Sequence, residues 1–193
     1  VFRTVPVAVS ALSGATAVAA GYATSYALAG DGTVWSWGAN VLGALGTGPG
    51  QARSTPARIP GLSGVTAIAA GFNLGVALRS DGTVWAWGSN FDGQLGANAT
   101  FLWSDTPVQV AGLSQVTAIA AGFAHILALR SDGRVLAIGS NAYGQLGDGT
   151  TASRASPVTV SGLANATAIG AGEYHSLAAR ADGTAVAWGS NGS

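Results

Sequence analysis

The chain repeats one sequence unit four times, and this repeat limits the possible folds more than any other feature. Asp-Gly pairs recur at spacings of 50, 51 and 50 residues, beginning at Asp31, Asp81, Asp132 and Asp182. Residues 15–40 and 65–90 are identical at 15 of 26 positions, which is too many for shared composition alone. A period near fifty has the size of a propeller blade rather than of a leucine-rich or helical-pair repeat.

Within each unit the pattern predicts short strands. In the second unit, residues 65–70 and 75–79 are short runs rich in apolar residues, and Asp81-Gly82 separates the second run from Val84 and Trp85. An Asp-Gly pair between apolar runs is a strong hairpin signal, so we expect a two-residue turn in which this pair takes positive φ angles. Short strands, Gly and Pro punctuation and no helical periodicity together predict an all-β fold, a β-propeller of about four blades of roughly 50 residues.

We predict a single repeat domain over residues 1–193. Its strand cores lie near residues 15–40, 65–90, 116–141 and 166–191. Segments with a proline follow most cores, and since proline is tolerated at a sheet edge, these segments are predicted to be edge strands. Residues 2–9 carry the same pattern and are predicted to be an edge strand of a preceding or closing blade.

Two further patterns predict where each strand lies. The segments 17–21, 67–71 and 118–122 consist almost entirely of Ala, Val, Ile and Gly, which suits the innermost strands, where blades crowd around one axis. The Trp pair after each hairpin is replaced only by apolar residues in the third and fourth copies. We therefore expect these tryptophans to pack between blades rather than to stack on a ligand.

The recurring strings resemble a known repeat. Ala-Ala-Gly-Phe-Ala-His (residues 120–125), then Asp132-Gly, then Gly139-Ser-Asn-Ala-Tyr-Gly-Gln-Leu-Gly147 are similar to the repeat of the regulator of chromosome condensation family. The resemblance covers essentially the whole chain and implies a β-propeller whose usual closed form has seven blades. The founding member of that family is a nuclear guanine-nucleotide exchange factor that also binds nucleosomes. This sequence has no lysine and no basic tail, so we do not transfer that activity.

The number of blades remains open in the sequence. Seven blades of fifty residues need about 350 residues, whereas four hairpin cores are present. Because the chain begins at Val1 rather than at Met, we expect that it was cut from something longer. We favour part of a larger ring, or two copies that pair into a full ring, over a closed ring of four blades. Open terminal blades would leave strand edges and apolar faces exposed, which promotes association.

Composition excludes several classes of function. Charged residues make up 8% of the chain, and the eight basic residues, all Arg, are balanced by eight acidic ones. A stripe of basic residues for binding nucleic acid is therefore not expected. No apolar run approaches the roughly 20 residues of a membrane-spanning helix. The chain has no cysteine, so neither a thiolate metal site nor a cysteine nucleophile is available.

No catalytic constellation emerges from the remaining residues. The repeated aspartates are interpreted as turn residues, and the asparagines at 40, 90, 141 and 191 as caps of the adjacent turn. His125 and His175 occupy equivalent positions, and we expect each to bind a backbone carbonyl within its own repeat. The protein is therefore predicted to be no enzyme and to need no cofactor or metal.

The differences between copies indicate where a partner could bind. The loop after Gly96 is one residue longer than its counterparts and carries Phe101, Leu102 and Trp103, which would form an aromatic anchor if exposed or a satellite core if tucked under the sheet edge. A second set of candidates follows each innermost strand and could form a binding face if it lies on one side of the ring. This set is Tyr22, Phe72, Phe123 and Tyr174.

Three functions are consistent with these patterns. The first is a non-enzymatic module that binds a macromolecule, namely a protein, and belongs to a secreted bacterial protein, as the low charge and missing lysine indicate. The second is a structural repeat that self-assembles through open terminal blades. The third is a propeller that binds a glycan or a small molecule.

Overall fold

The computed structural model describes residues 4–96 and 99–192 and confirms the all-β propeller fold. Four antiparallel sheets follow one another along the chain, and each is one blade. Strands pair in chain order from the innermost to the outermost. They are β1 Ala15–Ala20, β2 Thr24–Ala29, β3 Val34–Gly38 and β4 Arg53–Arg58 in the first blade; β5 Val65–Ala70, β6 Leu74–Arg79, β7 Val84–Ser89 and β8 Trp103–Gln109 in the second; β9 Val116–Ala121, β10 His125–Arg130, β11 Val135–Gly139 and β12 Arg154–Thr159 in the third; and β13 Ala166–Ala171, β14 His175–Arg180 and β15 Ala185–Gly189 in the fourth.

A hairpin forms at every Asp-Gly pair, but its turn differs from the predicted one. In the first blade the turn is closed by a hydrogen bond from the Gly32 amide to the Ala29 carbonyl, 2.9 Å long. Only the glycine takes a positive φ, +78° at Gly32, and Asp31 does not. The Asp31 carboxylate instead accepts hydrogen bonds from the amide and the hydroxyl of Thr33. The prediction of a two-residue turn was wrong, because the aspartate serves as a side-chain acceptor inside a longer loop.

The fourth strand of each complete sheet lies at its outer edge, as the prolines predicted. Pro56, Pro107 and Pro157 lie in β4, β8 and β12, which pair on one side only. The predicted edge strand at residues 2–9 is not observed in the described part of that segment, since residues 4–9 contain no strand and the fourth sheet has three strands. Phe2 and Arg3 lie outside the described residues. Residues 4–9 therefore do not complete the fourth sheet, and the alternative, an edge strand of a preceding blade, stays a prediction.

The core lies between the blades rather than inside them. We call the side of a blade that faces the next blade along the chain its forward face, and the opposite side its rear face. Three clusters of buried apolar residues join the forward face of one blade to the rear face of the next. Between the first two blades, Tyr26 and Leu28 pack against Ala77 and Trp87. Because strand residues alternate between the two faces, the second and third blades each contribute to two clusters, and the first and fourth blades contribute to one each.

Two tryptophans confirm the predicted packing between blades. Trp87 is 1% exposed, its ring centroid is 5.6 Å from that of Tyr26, and its indole N–H donates to the Ala44 carbonyl across the blade boundary, at 3.0 Å. Trp188 makes the equivalent bond to the Gln145 carbonyl, at 2.9 Å. Each indole thus packs at a blade boundary and pairs its one polar group, with Trp87 buried and Trp188 partly buried.

The four blades form an arc in which the first and last outer faces are exposed. Innermost strands pack in sequence, β1 on β5, β5 on β9 and β9 on β13. Val18 on the rear face of the first blade is 74% exposed, and Leu177 on the forward face of the fourth is 44% exposed. These two faces are therefore not packed on each other. No helix in residues 4–96 or 99–192 is long and apolar enough to cross a membrane.

Around the axis, neighbouring blades touch through their backbones. The Tyr22 amide donates to the Phe72 carbonyl at 3.2 Å, the Phe72 amide to the Phe123 carbonyl at 3.1 Å, and the Phe123 amide to the Glu173 carbonyl at 3.1 Å. At the glycine that precedes each donor there is no room for a side chain. A Cβ on Gly21 would lie 2.7 Å from the Gly71 carbonyl oxygen, and Gly71 and Gly122 are closer still to the next blade.

Replacing Gly122 by alanine should test this close approach. Its Cβ would collide with the Gly172 carbonyl oxygen and would lie 2.6 Å from Nδ1 of His125. We expect Gly122→Ala to lower the free energy of unfolding by about 3 kcal/mol, since backbone cannot yield as a flexible side chain can. Urea unfolding followed by tryptophan fluorescence measures this loss.

The matched control is Gly170→Ala in β13, where the nearest atom to the new Cβ would be Cβ of Leu177 at 3.9 Å. This variant should unfold within about 0.5 kcal/mol of the wild type. Equal unfolding midpoints for the two variants would show that the backbone contact between blades is not needed.

Candidate functional site

The two ends of the propeller differ in chemistry. One end, which we call the turn face, carries the four Asp-Gly hairpins. The other, which we call the loop face, carries the turns between first and second strands and the longer loops between third and fourth strands. Most exposed large apolar side chains outside residues 4–9 lie on the loop face, namely Tyr22, Val41, Phe91, Phe101, Leu102, Trp103 and Tyr143. A concentration of this kind on one end of a propeller marks a candidate binding surface.

Four aromatic rings form a continuous row at the inner edge of the loop face, as the sequence predicted they could. We call Tyr22, Phe72, Phe123 and Tyr174 the aromatic arc. Ring centroids are 4.5 Å apart between Tyr22 and Phe72, 4.5 Å between Phe72 and Phe123, and 5.5 Å between Phe123 and Tyr174. The backbone hydrogen bonds between these turns fix the spacing. Tyr22 is 75% exposed, and Phe72 and Phe123 are half-buried.

The arc borders two cavities. One, of about 500 Å³, opens at the propeller axis and is lined by Tyr22, Phe72, Phe123 and Glu173 together with small residues of the innermost strands. The second, of about 230 Å³, runs outward from Phe72 and Phe123 to Phe91 and Leu42. The arc therefore has an apolar connection to the outer loops of the second blade.

The long loop of the second blade extends this apolar surface to the rim. Phe101, Leu102 and Trp103 are 41%, 55% and 50% exposed, so the alternative in which they form a satellite core is wrong. Asn90 holds the segment in place, with its amide donating to the Leu102 carbonyl and its side chain to the Phe101 carbonyl, both at 2.8 Å. Ala97 and Asn98 of the same loop lie outside the described residues. The exposed side chains are thus mounted on an anchored backbone.

The charges on the loop face are mainly acidic. Asp92, Asp105 and Glu173 lie there, whereas Arg53 and Arg154 are the arginines at that end within the part of the chain that the structure describes. Arg154 is bound to the carboxylate of Asp148 at 2.8 Å. The neighbouring Glu173 carboxylate raises the pKa of Tyr174 above its ordinary value. An apolar strip bordered by carboxylates therefore faces solvent.

Three of the four asparagines that follow the third strands act as predicted. They are Asn40, Asn90 and Asn141. The side-chain oxygen of each accepts a hydrogen bond, 2.9–3.0 Å long, from the backbone amide five residues further on. Asn141 is fully buried, and its side-chain amide donates to the carbonyls of Thr150 and Ala152. These residues fix the loop backbone and leave the residues between Asn and Gly free to vary.

The two histidines have different environments. His125 is fully buried, and its Nε2 lies 3.0 Å from the hydroxyl of Ser176 in the next blade. That hydroxyl donates its proton to the Gln145 carbonyl at 2.8 Å, so it accepts from Nε2–H of a neutral imidazole. The prediction of a carbonyl partner within the same repeat was wrong for His125, because the ring reaches across the blade boundary. His175 occupies the equivalent position in the fourth blade and is exposed.

The described residues contain no cluster of three or more His, Asp or Glu side chains that could hold a metal ion. The repeated aspartates Asp31, Asp81 and Asp182 each accept from the threonine two residues later, and these hydrogen bonds lower their pKa. Their carboxylates form hydrogen bonds within the hairpin loops of the turn face, at the opposite end of the strands from the aromatic arc.

Sequence reasoning missed three apolar residues of the loop face. Val41, Phe91 and Tyr143 are more than half exposed. They lie between the repeated Asn and Gly of each loop, where the sequence changes from copy to copy while its neighbours do not. The same variability pointed to Phe101, so it could have identified them.

Comparison with known proteins identifies the fold family. Residues 2–193 match the family model described as an RCC1-like domain. The chain belongs to the RCC1-like family. This confirms the family resemblance of the repeats.

Solved structures of this family are similar to the RCC1-like chain over most of its length. Yeast RCC1 (Prp20), solved bound to Kap60, is 32% identical with a TM-score of 0.76, covering 90% of this chain and 43% of that one. Human WBSCR16 is 25% identical with a TM-score of 0.81, covering 92% and 48%. Prp20p from Saccharomyces cerevisiae, described with its binding properties to Gsp1p and histones, is 33% identical with a TM-score of 0.75, covering 90% and 44%. The chain spans less than half the length of each.

Burial of His125 should make the stability of the RCC1-like chain depend on pH. Burial lowers its pKa to about 4, with a smaller effect of His175, and the buried Nδ1 has no hydrogen-bond partner for a second proton. In the unfolded chain the histidine pKa is near 6.5, so between about pH 6.5 and pH 4 this side chain is protonated in the unfolded chain and neutral in the folded one. The free energy of unfolding should therefore be constant above about pH 6.5 and fall by roughly 2 kcal/mol between pH 7.5 and pH 5.

Urea unfolding at the two pH values measures this fall, and His125→Leu should largely abolish it. Leucine occupies this position in the second blade as Leu74, so an apolar side chain of similar size fits at this place in the repeat. Aspartates lose their contribution only below about pH 4, outside the window. An equal fall in wild type and variant would assign the pH dependence to another group.

Proposed function

We propose that this RCC1-like propeller is a non-enzymatic module that binds a protein through its loop face. The observation that carries the proposal is the exposed apolar strip from the aromatic arc through Phe91 to Phe101, Leu102 and Trp103. Aromatic side chains held on a rigid backbone are the usual anchors of protein interfaces, because they bury much area at little cost in conformational entropy. The anchored loop of Asn90 provides that rigidity.

The charges indicate the chemistry of the partner. Carboxylates of Asp92, Asp105 and Glu173 border the strip, and the one other acid on this face, Asp148, is paired with Arg154. A partner segment that combines apolar side chains with Lys or Arg would complement this surface, and its association rate would fall as salt increases.

The family supports binding to proteins in a general way. Prp20, at 32–33% identity, was solved in a complex with Kap60 and described for its binding to Gsp1p and histones. Those partners belong to Prp20, and the chain described here covers less than half of that protein. What transfers is that a propeller of this family presents surfaces for protein partners.

Truncation of the anchors tests the proposal. The double variant Phe101→Ala, Trp103→Ala should fold normally, because both side chains are about half exposed. A photoreactive group placed near residue 91 of the wild type captures binding proteins from secreted and cellular fractions of the source organism. Each captured protein should bind the double variant at least about 30-fold more weakly than it binds the wild type. Affinity measured by interferometry with the purified crosslinked protein gives this ratio.

Val7→Ala is the matched control, since Val7 is 55% exposed and lies in the segment before the first blade. It should bind as the wild type does. Equal affinity of all three chains for every crosslinked protein would reject the loop face as the binding surface.

We also propose that the protein acts outside the cell. The support is compositional: charged residues form 8% of the chain and lysine is missing. Antibodies should detect the protein in culture medium rather than in washed cells. Detection in the cells alone would contradict an extracellular role.

A further inference from the structure

One cavity on the loop face brings side chains from three blades together. It is the cavity of about 230 Å³ that runs outward from the aromatic arc, and we call it the Phe91 cavity. Its lining includes Leu42 of the first blade, Phe91 and Asp92 of the second, and Phe123 of the third. Pockets for drug-sized ligands measure roughly 300–1,000 Å³. The Phe91 cavity therefore has the size for one side chain of a partner.

The carboxylate of Asp92 lines the Phe91 cavity, and hydrogen bonds fix its position. The hydroxyl of Ser153, in the third blade, donates to this carboxylate at 3.2 Å. The Asp92 amide donates to the side-chain oxygen of Gln94, which is fully buried, at 3.0 Å. The negative charge is thus held at the boundary between the second and third blades.

The charge of Asp92 is not used within the described part of the chain. The two ion pairs found in residues 4–96 and 99–192 join Arg130 to Asp132 and Arg154 to Asp148. Asp92 is partly buried beside apolar rings, where a carboxylate attracts a cation more strongly than it does in bulk water. The Phe91 cavity therefore offers a carboxylate to a cation from another molecule.

The same cavity has an aromatic ring available for a cation. Phe72 and Phe123 stack on each other, with ring centroids 4.5 Å apart. Phe91 forms no pair with another ring among the described residues and is 61% exposed. The face of an aromatic ring attracts a cation that lies within about 6 Å of its centroid. Because Phe91 and Asp92 line one cavity, the ring and the carboxylate can contact the same cation.

Among the first three copies of the repeat, only the second combines an aromatic residue with an acid at this place. Between the repeated Asn and Gly, the first copy carries Val-Leu at 41–42, the second Phe-Asp at 91–92 and the third Ala-Tyr at 142–143. The asparagine before each pair makes the same hydrogen bond to its loop. The loop therefore forms without Phe and Asp, so its backbone does not explain why they stand together.

We propose that the Phe91 cavity binds one arginine side chain of the protein partner, whose guanidinium lies over the ring of Phe91 and pairs with the carboxylate of Asp92. This inference rests on the proposed binding at the loop face and adds the side chain that the surface recognises. Arginine fits this site better than lysine does. Its planar guanidinium stacks on aromatic rings, binds a carboxylate through two N–H groups and is less strongly hydrated than an ammonium group.

A second cavity, at the rim of the loop face, also combines aromatic residues with a carboxylate. Its volume is about 390 Å³, and its lining of residues 101–105 comes from a single segment that includes Asp105. A lining from one segment covers a guanidinium on one side, whereas side chains of three blades surround the Phe91 cavity. Asp105 is therefore the matched control for Asp92, since it carries the same charge on the same face in a different cavity.

Blocked arginine, the acetylated methylamide of the amino acid, is the probe. Two-dimensional NMR of the protein titrated with it at constant ionic strength should show amide shifts centred on residues 72–73, 91–92 and 123–124, with a dissociation constant of about 1 mM. Blocked citrulline has the same shape without the charge and should bind at least about tenfold more weakly. Blocked lysine should bind at least about threefold more weakly than blocked arginine.

Three variants assign the binding to the cavity. Asp92→Asn should weaken the binding of blocked arginine at least about fivefold, because the amide keeps an acceptor for the Ser153 hydroxyl but removes the charge. Phe91→Leu keeps an apolar side chain without an aromatic face and should weaken binding about threefold. Asp105→Asn should bind as the wild type does. All three positions are exposed or partly exposed, and circular dichroism confirms that each variant remains folded.

Several results would overturn the inference. They are the absence of amide shifts up to about 20 mM blocked arginine, equal binding of blocked citrulline or blocked lysine, and a loss of binding in Asp105→Asn as large as that in Asp92→Asn.

The crosslinked protein separates this inference from the proposed function. Its affinity should fall at least about fivefold with Asp92→Asn and stay unchanged with Asp105→Asn. If it loses affinity only for Phe101→Ala, Trp103→Ala, the loop face remains the binding surface and the arginine site is wrong. If blocked arginine binds as expected while no crosslinked protein responds to any of these variants, the cavity is an arginine site and the proposed protein binding is wrong.

Discussion

Neighbouring blades approach one another closely enough around the axis for backbone to meet backbone, and the rest of the structure depends on this contact. The amides of Tyr22, Phe72 and Phe123 each donate to the next blade, while the glycine before each one leaves room for a carbonyl oxygen. Interblade bonds at the other end, such as Val65 to Gly32 at 3.2 Å, complete the attachment. Because the innermost strands carry mostly Ala, Val, Ile and Gly, four sheets can converge without a large side chain between them.

The same contact creates the candidate binding surface. Hydrogen bonds between successive turns place one aromatic residue per blade at a fixed spacing, so the rings at 72 and 123 are stacked 4.5 Å apart. In a single blade this aromatic residue would be isolated on the surface, whereas in four adjacent blades the four aromatic residues form a row. The outer loops can vary because their backbones are held by asparagines, which separates the scaffold from the side chains that it presents. Phe101, Leu102 and Trp103 are the largest such variation.

Several features of the fold and the site could be predicted from the repeat alone. The strands, the proline-bearing edges and the capping asparagines depend on local backbone preferences, which repeat with the sequence. Other predictions failed where a partner came from another blade or from a longer loop. The hydroxyl that binds His125 lies 51 residues away in Ser176, and the Asp31 carboxylate accepts bonds within a loop longer than two residues. Of the two alternatives for residues 2–9, the closing strand needs pairing with a distant sheet, and residues 4–9 form no strand there; an edge strand of a preceding blade stays a prediction.

By itself the sequence determined the unit of structure, because period, turn residues and alternation of apolar residues are local properties of one chain segment. It also determined the family, since the repeated strings match the RCC1-like domain over residues 2–193. Only the tertiary structure decided which side chains are buried and which are exposed. His125 and His175 have the same place in the repeat, yet one is buried and the other exposed, because burial depends on whether another blade lies against the face. In the same way, Trp87 is core and Trp103 is surface, although both are tryptophans of one blade.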